Sequence, residues 1–192
     1  GGFRLAMNSS QVECVFSSDN DKFAQQTYEA NFHEVPTGDI KAVNEKDIPS
    51  FDILTAGFPC QPFSYAGEKQ GFNDEVRGTL FFDVCRILEY HKPPMVFLEN
   101  VKGLKSHDNG KTLQTVLDTL KKLGYYPHWT ILSSLDYALP QKRERWYCVA
   151  FRTEVDFEWP KPVKGHPVLR DIIDMNDRNP SLAIPKFELD RI

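Results

Sequence analysis

Phe51-Asp52-Ile53-Leu54-Thr55-Ala56-Gly57-Phe58-Pro59-Cys60 runs from an apolar stretch straight into a glycine and a proline. A short apolar run bounded by turn residues reads as a buried strand, here residues 51–56. The adjoining segment, Gly57-Phe58-Pro59-Cys60-Gln61-Pro62-Phe63-Ser64, holds a cysteine between two prolines. Each proline fixes its own φ and restricts the residue before it, so the loop is stiff and its thiol is held in place.

Outward from this strand the chain alternates. Residues 13–17 (ECVFS) read as a strand and 22–31 as a helix. Residues 77–89 repeat apolar side chains at helical spacing through Leu80, Phe81, Val84, Cys85 and Leu88. Pro93-Pro94 ends that helix before Met95-Val96-Phe97-Leu98, a continuous apolar run expected of a parallel strand covered on both faces. Residues 112–123 form a further amphipathic helix, with Gly124 where a C-terminal cap belongs. Residues 129–132 and 146–151 read as closing strands, antiparallel because a short connection joins them. Beyond about residue 157 the sequence becomes proline-rich and irregular, apart from an amphipathic stretch at 168–173.

Strand and helix in alternation predict a doubly wound α/β fold, Rossmann-like, with a mostly parallel sheet and an antiparallel strand near the end. Gly1-Gly2-Phe3-Arg4-Leu5-Ala6-Met7 resembles a glycine-rich turn entering a helix. The strand feeding such a turn is usually central, so a first strand and an initiator Met are expected upstream of Gly1.

The composition is that of a globular protein: 192 residues, 41% apolar and 26% charged. No apolar run approaches the roughly 20 residues of a membrane helix, and no leader resembling a signal peptide opens the chain, so an intracellular, cytoplasmic location is expected. Cys14, Cys60, Cys85 and Cys148 are widely spaced, without CxxC or zinc-ligand spacing, and indicate neither a disulfide framework nor a metal site. A net charge of −4 argues against a broadly basic surface but leaves local patches such as Gln141-Lys142-Arg143-Glu144-Arg145 open.

Ligands of open α/β sheets gather beyond the carboxyl ends of the strands. Asp19 follows the predicted strand 13–17, Cys60 follows 51–56, Glu99-Asn100 follow 95–98, and Gly1-Gly2 would follow the upstream strand. These candidates converge on one edge of one sheet. Asp19 suits a ribose diol, since a carboxylate accepts two hydroxyl hydrogen bonds; it is equally a solvated loop residue or a cap beside Asn20 and Asp21. Cys14, Cys85 and Cys148 sit in apolar stretches as small hydrophobes, whereas Cys60 sits in a loop, where nearby positive charge would be needed to raise its reactivity. Glu99 at the mouth of a dry sheet is expected to have a raised pKa and to share a proton near neutrality; its alternative is a structural carboxylate held by backbone N–H groups. Arg143 and Arg145, two apart before a strand, should point the same way, or belong to a charged edge strand.

In order along the chain, GGFRLA, Asp19, Gly38-Asp39-Ile40, GFPCQPFS, Arg77-Gly78-Thr79-Leu80-Phe81-Phe82-Asp83-Val84, Glu99-Asn100-Val101 and QKRER together resemble the DNA (cytosine-5) methyltransferases of the compact bacterial modification type. The resemblance covers Gly1 to about Pro162. It implies methyl transfer from S-adenosylmethionine to C5 of a cytosine flipped out of duplex DNA. Cys60 would add to C6, Glu99 would act at N3, Arg145 at O2, and Arg143 on a phosphate. Gly1 and Gly2 would lie near the methionine moiety, Asp19 on the ribose, Asp39 and Ile40 at the adenine, with Pro59 and Leu80 lining the pocket. Where the family often carries an aromatic residue after the acidic one, this chain has Asn20. Residues 64–76 resemble the family's mobile lid.

The same resemblance divides the chain into a catalytic and cofactor-binding domain, 1–160, and the start of a connection, 161–192, to a target-recognition region expected after Ile192 or on a second polypeptide. It implies a bacterial, DNA-associated protein of a restriction–modification system, with no metal and no membrane contact. The competing readings are an RNA (tRNA) cytosine methyltransferase with the same catalytic residues, a cofactor-binding scaffold that needs a partner chain, and an unrelated thiol enzyme on a nucleotide-binding sheet.

Overall fold

The computed structural model describes residues 1–9, 11–59, 80–163, 165, 168–172 and 174. These fall into two compact units, one formed by Gly1–Leu132 and Glu144–Pro160, the other by Ser133–Arg143 and Lys161–Ile192. The first carries the sheet and helices. In the second, Ser134 N–H donates to the Arg143 carbonyl at 3.1 Å and Val163 N–H to that of Asp136 at 2.9 Å.

In chain order the elements are α1 (Gly2–Met7), α2 (Lys22–Phe32), β1 (Ile53–Gly57), α3 (Leu80–His91), β2 (Met95–Val101), α4 (Lys111–Lys122), β3 (Tyr126–Ser133) and β4 (Glu144–Phe151). The four strands form one sheet in the order β1-β2-β4-β3. β1 runs parallel to β2, with Gly57 opposite Glu99, and β4 runs antiparallel to β2, with Arg145 opposite Val101. The apolar runs at 51–56 and 95–98, and the crossover helix between them, therefore lie where their patterns predicted.

Alternation along the strands decides what each face does. Val96, Leu98 and Asn100 of β2, with Trp146, Cys148 and Ala150 of β4, point to one face and are almost fully buried. Phe81, Val84, Cys85 and Leu88 of α3 and Leu113, Val116 and Leu120 of α4 pack there, completing the core. Burying each such aliphatic side chain contributes about 1.5–3 kcal/mol, so this face holds most of the stability. The other face carries Met95, Phe97 and Glu99, each only partly covered. Phe3 of α1 meets Phe97 there with ring centroids 5.0 Å apart. β2 is thus not sealed on both faces as its apolar run suggested; the periodicity of burial is that of a strand with one well-packed side.

α4 ends as the sequence required. Gly124 has φ 83°, its N–H donates to the Lys121 carbonyl, and Tyr125 N–H donates to that of Leu120, the paired bonds of a Schellman cap. Residues 13–17 depart from expectation. They form no strand, because no described strand lies alongside to accept their ladder bonds. Two isolated bridges flank them, Ser9–Val12 before and Ser18–Thr37 after, the latter through Asp19 N–H to the Thr37 carbonyl and Thr37 N–H to that of Ser17. Consistent with this looser packing, neither α1 nor α2 has a buried residue.

Candidate functional site

A cavity of about 960 Å³ opens beside the outer edge of β1. Its wall is built from the α1 entry, the segment 13–20, the turn at 39–40, β1 and one side of α3. Of the residues the sequence assigned to a cofactor, Gly1, Gly2, Asp19, Asp39, Ile40 and Leu80 all line it, and Pro59 does not. Asn20, in place of an aromatic ring, is also on the wall.

Each of the two acidic residues uses one oxygen locally. Asp19 Oδ1 accepts from Asp21 N–H at 3.0 Å, and Asp39 Oδ1 caps a short helical turn by accepting from Lys41 N–H at 3.0 Å. The capping reading and the binding reading are therefore compatible: one oxygen orients the carboxylate and the other remains for a ligand. The cap of α2 itself falls to Asp21, which accepts from Ala24 N–H at 2.8 Å.

The second cluster stands at the carboxyl end of β2. Glu99 Oε1 and Arg145 Nε form an ion pair at 3.0 Å. Sheet geometry dictates this: Arg145 lies opposite Val101, two residues along from Glu99, so both side chains share a face as diagonal neighbours. Arg145 also donates through Nη1 to the Glu144 carbonyl at 2.9 Å. The Glu99 side chain is 25% exposed and paired with a guanidinium, so the dry setting expected at the sheet mouth is a partly open ion pair. Next along the ladder, Lys102 Nζ holds Glu144 Oε1 at 2.8 Å. Arg143 precedes β4 and belongs to the second unit, so strand alternation does not relate it to Arg145.

Gly57 connects the two regions. It lines the cavity, and a Cβ placed on it would stand 3.3 Å from Glu99 Oε2. The glycine at the end of β1 is thus what lets the carboxylate come up against the cavity wall. Asn100, which the sequence noted only as the neighbour of Glu99, is 1% exposed on the opposite face. Its Nδ2 donates to the Phe58 carbonyl at 2.8 Å and its Oδ1 accepts from Val101 N–H at 2.8 Å. It ties the start of the loop after β1 to the end of β2. A polar residue closing an apolar strand was the available signal.

Cys60 and the expected lid, 64–76, lie outside the described residues. The remaining cysteines behave as small hydrophobes. Burial pushes the Cys85 thiol far up, and that of Cys148 up to about 12, so neither supplies a thiolate near neutrality. Cys14 is partly buried, with its Sγ 3.4 Å from the Phe16 carbonyl.

A mixed sheet with a large cavity along its edge strand, and charged side chains at the next strand's end, defines a Rossmann-like α/β protein. Within that class the chain belongs to the C-5 cytosine-specific DNA methylase family, whose model matches residues 1–188. The Type II methyltransferase M.HhaI of Haemophilus parahaemolyticus is 50% identical over 192 residues, covering 98% of this chain and 58% of that protein. M.HaeII of Haemophilus aegyptius is 49% identical over 191 residues, covering 100% and 60%. Among solved structures, S. pombe Dnmt2 methyltransferase is 25% identical with a TM-score of 0.65, over 82% of this chain and 50% of that one. The Entamoeba histolytica methyltransferase EhMeth, 22% identical with a TM-score of 0.63 over 88% of this chain and 54% of that one, shares the fold. The chain spans between half and three fifths of the length of these relatives. In each of them the matched region is part of one longer polypeptide, and a second chain carrying a recognition region has no support. No helix among the described residues is long and apolar enough to cross a membrane.

Proposed function

We propose that this chain transfers a methyl group from S-adenosylmethionine to C5 of a cytosine flipped out of duplex DNA, as part of a bacterial, cytoplasmic modification enzyme. The observation that carries the reading is the junction at Gly57, where a cavity suited to a nucleoside cofactor meets the Glu99–Arg145 pair. Methyl transfer needs donor and acceptor sites that adjoin.

The residues present fit the cofactor. The cavity, about 960 Å³, is at the upper end of the range usual for ligand sites. Asp19 would offer its second carboxylate oxygen to a ribose hydroxyl, Asp39 and Ile40 would lie at the adenine, and Gly1 and Gly2, on the same wall, would lie near the methionine end. When bound, S-adenosylmethionine supplies an electrophilic methyl group on a sulfonium.

The protein's part is to make an aromatic carbon nucleophilic. The Cys60 thiolate adds to C6, forming an S–C6 bond, and the displaced ring electrons pass toward N3 and C5. Glu99 holds or protonates N3, and Arg145 donates to O2, so both stabilise charge as aromaticity is lost. C5 is then electron-rich enough to accept the methyl group that the bound cofactor would supply. Loss of the C5 proton to a base re-forms the ring and expels the Cys60 thiolate. Because a paired cytosine hides these atoms, extrusion of the base, at a cost of a few kcal/mol, comes first. In this scheme the Glu99–Arg145 contact exchanges for contacts to the base, and Arg143 serves a phosphate.

The test is trapping: S-adenosylmethionine and duplex DNA containing 5-fluorocytosine, whose fluorine does not leave as a proton does. The expected result is a denaturant-stable protein–DNA adduct with the wild type and none with Cys60→Ser. Absence of an adduct with the wild type, or activity on tRNA and none on duplex DNA, refutes the proposal.

A further inference from the structure

Arg86, on α3, reaches three acceptors. Its Nε donates to Asp83 Oδ1 at 3.0 Å, Nη1 to Glu45 Oε2 at 2.8 Å, and Nη2 to the Ile40 carbonyl at 2.6 Å. His91, near the end of the same helix, contacts the Glu45 carbonyl through Nε2 at 2.8 Å. One face of α3 therefore grips residues 40–47, a segment made of two short helical turns, Ile40–Ala42 and Glu45–Asp47, with no strand to anchor it. Ile40 and Asp83 line the large cavity, while Arg86 and Glu45 do not.

From this we infer that Arg86 is a positioning residue for the cofactor: from behind the cavity wall it fixes the Ile40 main chain, and so the surface against which the adenine lies. The inference rests on the proposed use of S-adenosylmethionine. A guanidinium suits the task because its donors form a planar fork, able to satisfy a backbone carbonyl and two carboxylates at once. A lysine ammonium is a point charge on a flexible stem and cannot hold all three. Without the fork the Ile40 carbonyl keeps the Val43 N–H but loses its tie to α3, and the segment samples other positions, so ligand binding must reorder it and affinity falls. None of the hydrogen bonds of Arg86 reaches Glu99 or Arg145, so the loss belongs to binding and not to the chemical step.

S-adenosylhomocysteine is titrated calorimetrically into the wild type, Arg86→Lys and Glu45→Ala, in the chain as expressed from its own gene, with melting curves and steady-state kinetics alongside. Arg86→Lys is expected to bind about tenfold more weakly, the equivalent of one charge-assisted hydrogen bond, with KM for S-adenosylmethionine raised in step and kcat within about twofold. Glu45→Ala, at a side chain 31% exposed, removes one arm of the grip and is expected to weaken binding about threefold. If Arg86→Lys does not fold, Glu45→Ala decides. Lowered melting with unchanged affinity, or a fall in kcat at constant KM, overturns the positioning role while leaving the cofactor reading intact. Failure of the wild type to bind S-adenosylhomocysteine overturns both.

Discussion

Replacing Asn100 tests how the two strand ends are held in register. In Asn100→Ala the Phe58 carbonyl, on a residue only 6% exposed, loses its donor, and Val101 N–H loses its acceptor. An unsatisfied buried carbonyl costs about 1–3 kcal/mol, and loss of the second bond adds about 1 kcal/mol, so the total is about 2–4 kcal/mol. Against a domain stability of about 5–15 kcal/mol that is a large fraction. Urea unfolding followed by tryptophan fluorescence, with the slope unchanged, reads it directly. Asn100→Asp separates the hydrogen bond from the packing. It keeps the shape but turns an acceptor toward the Phe58 carbonyl. The buried carboxyl then has a folded-state pKa raised above its unfolded value of about 3.9, so its penalty is absent below that value and grows as pH rises. Asn100→Asp should therefore approach wild-type stability at acid pH and fall away toward neutrality. A loss below about 1 kcal/mol for Asn100→Ala would refute the assignment of Asn100 as the tie between β1 and β2.

Gly57→Ala places a Cβ 3.3 Å from Glu99 Oε2 at a glycine whose φ is not left-handed, so the backbone accepts alanine and the carboxylate must move by a few tenths of an ångström. Methyl transfer is expected to slow about tenfold with melting temperature unchanged, since misplacing a reacting group costs rate and not stability; an unaltered rate would disprove the close approach. At Glu45 its own backbone N–H, and then the Arg86 guanidinium, hold the carboxyl below its ordinary value of 4.5. A depressed folded-state pKa means that the stabilisation is fully present above pH 4.5 and is lost as pH falls through the lower folded value. Melting curves of the wild type and Glu45→Gln should therefore differ above pH 4.5 and converge as pH falls through the lowered folded-state value, and parallel curves would contradict the ion pair.

The sequence alone determined what local pattern can carry. The runs at 51–56 and 95–98, the amphipathic helices around Val84 and Val116, and the cap at Gly124 each follow from periodicity or backbone chemistry within a dozen residues. The strand-end argument put Gly1, Gly2 and Asp19 at one sheet edge, and the family resemblance added Asp39, Ile40 and Leu80; all six line one cavity. Tertiary structure decided whatever depends on a neighbour distant in the chain. Residues 13–17 have the composition of a strand, but pairing needs a second backbone alongside. Glu99 could not show from its own position that Arg145, diagonal on an antiparallel neighbour, would meet it at 3.0 Å. Asn100 and Arg86 look like ordinary polar residues until the carbonyls of Phe58 and Ile40, 42 and 46 positions away, come to their donors. Hydrogen bonds and ion pairs act over a few ångströms of space, and a sequence orders residues along a line.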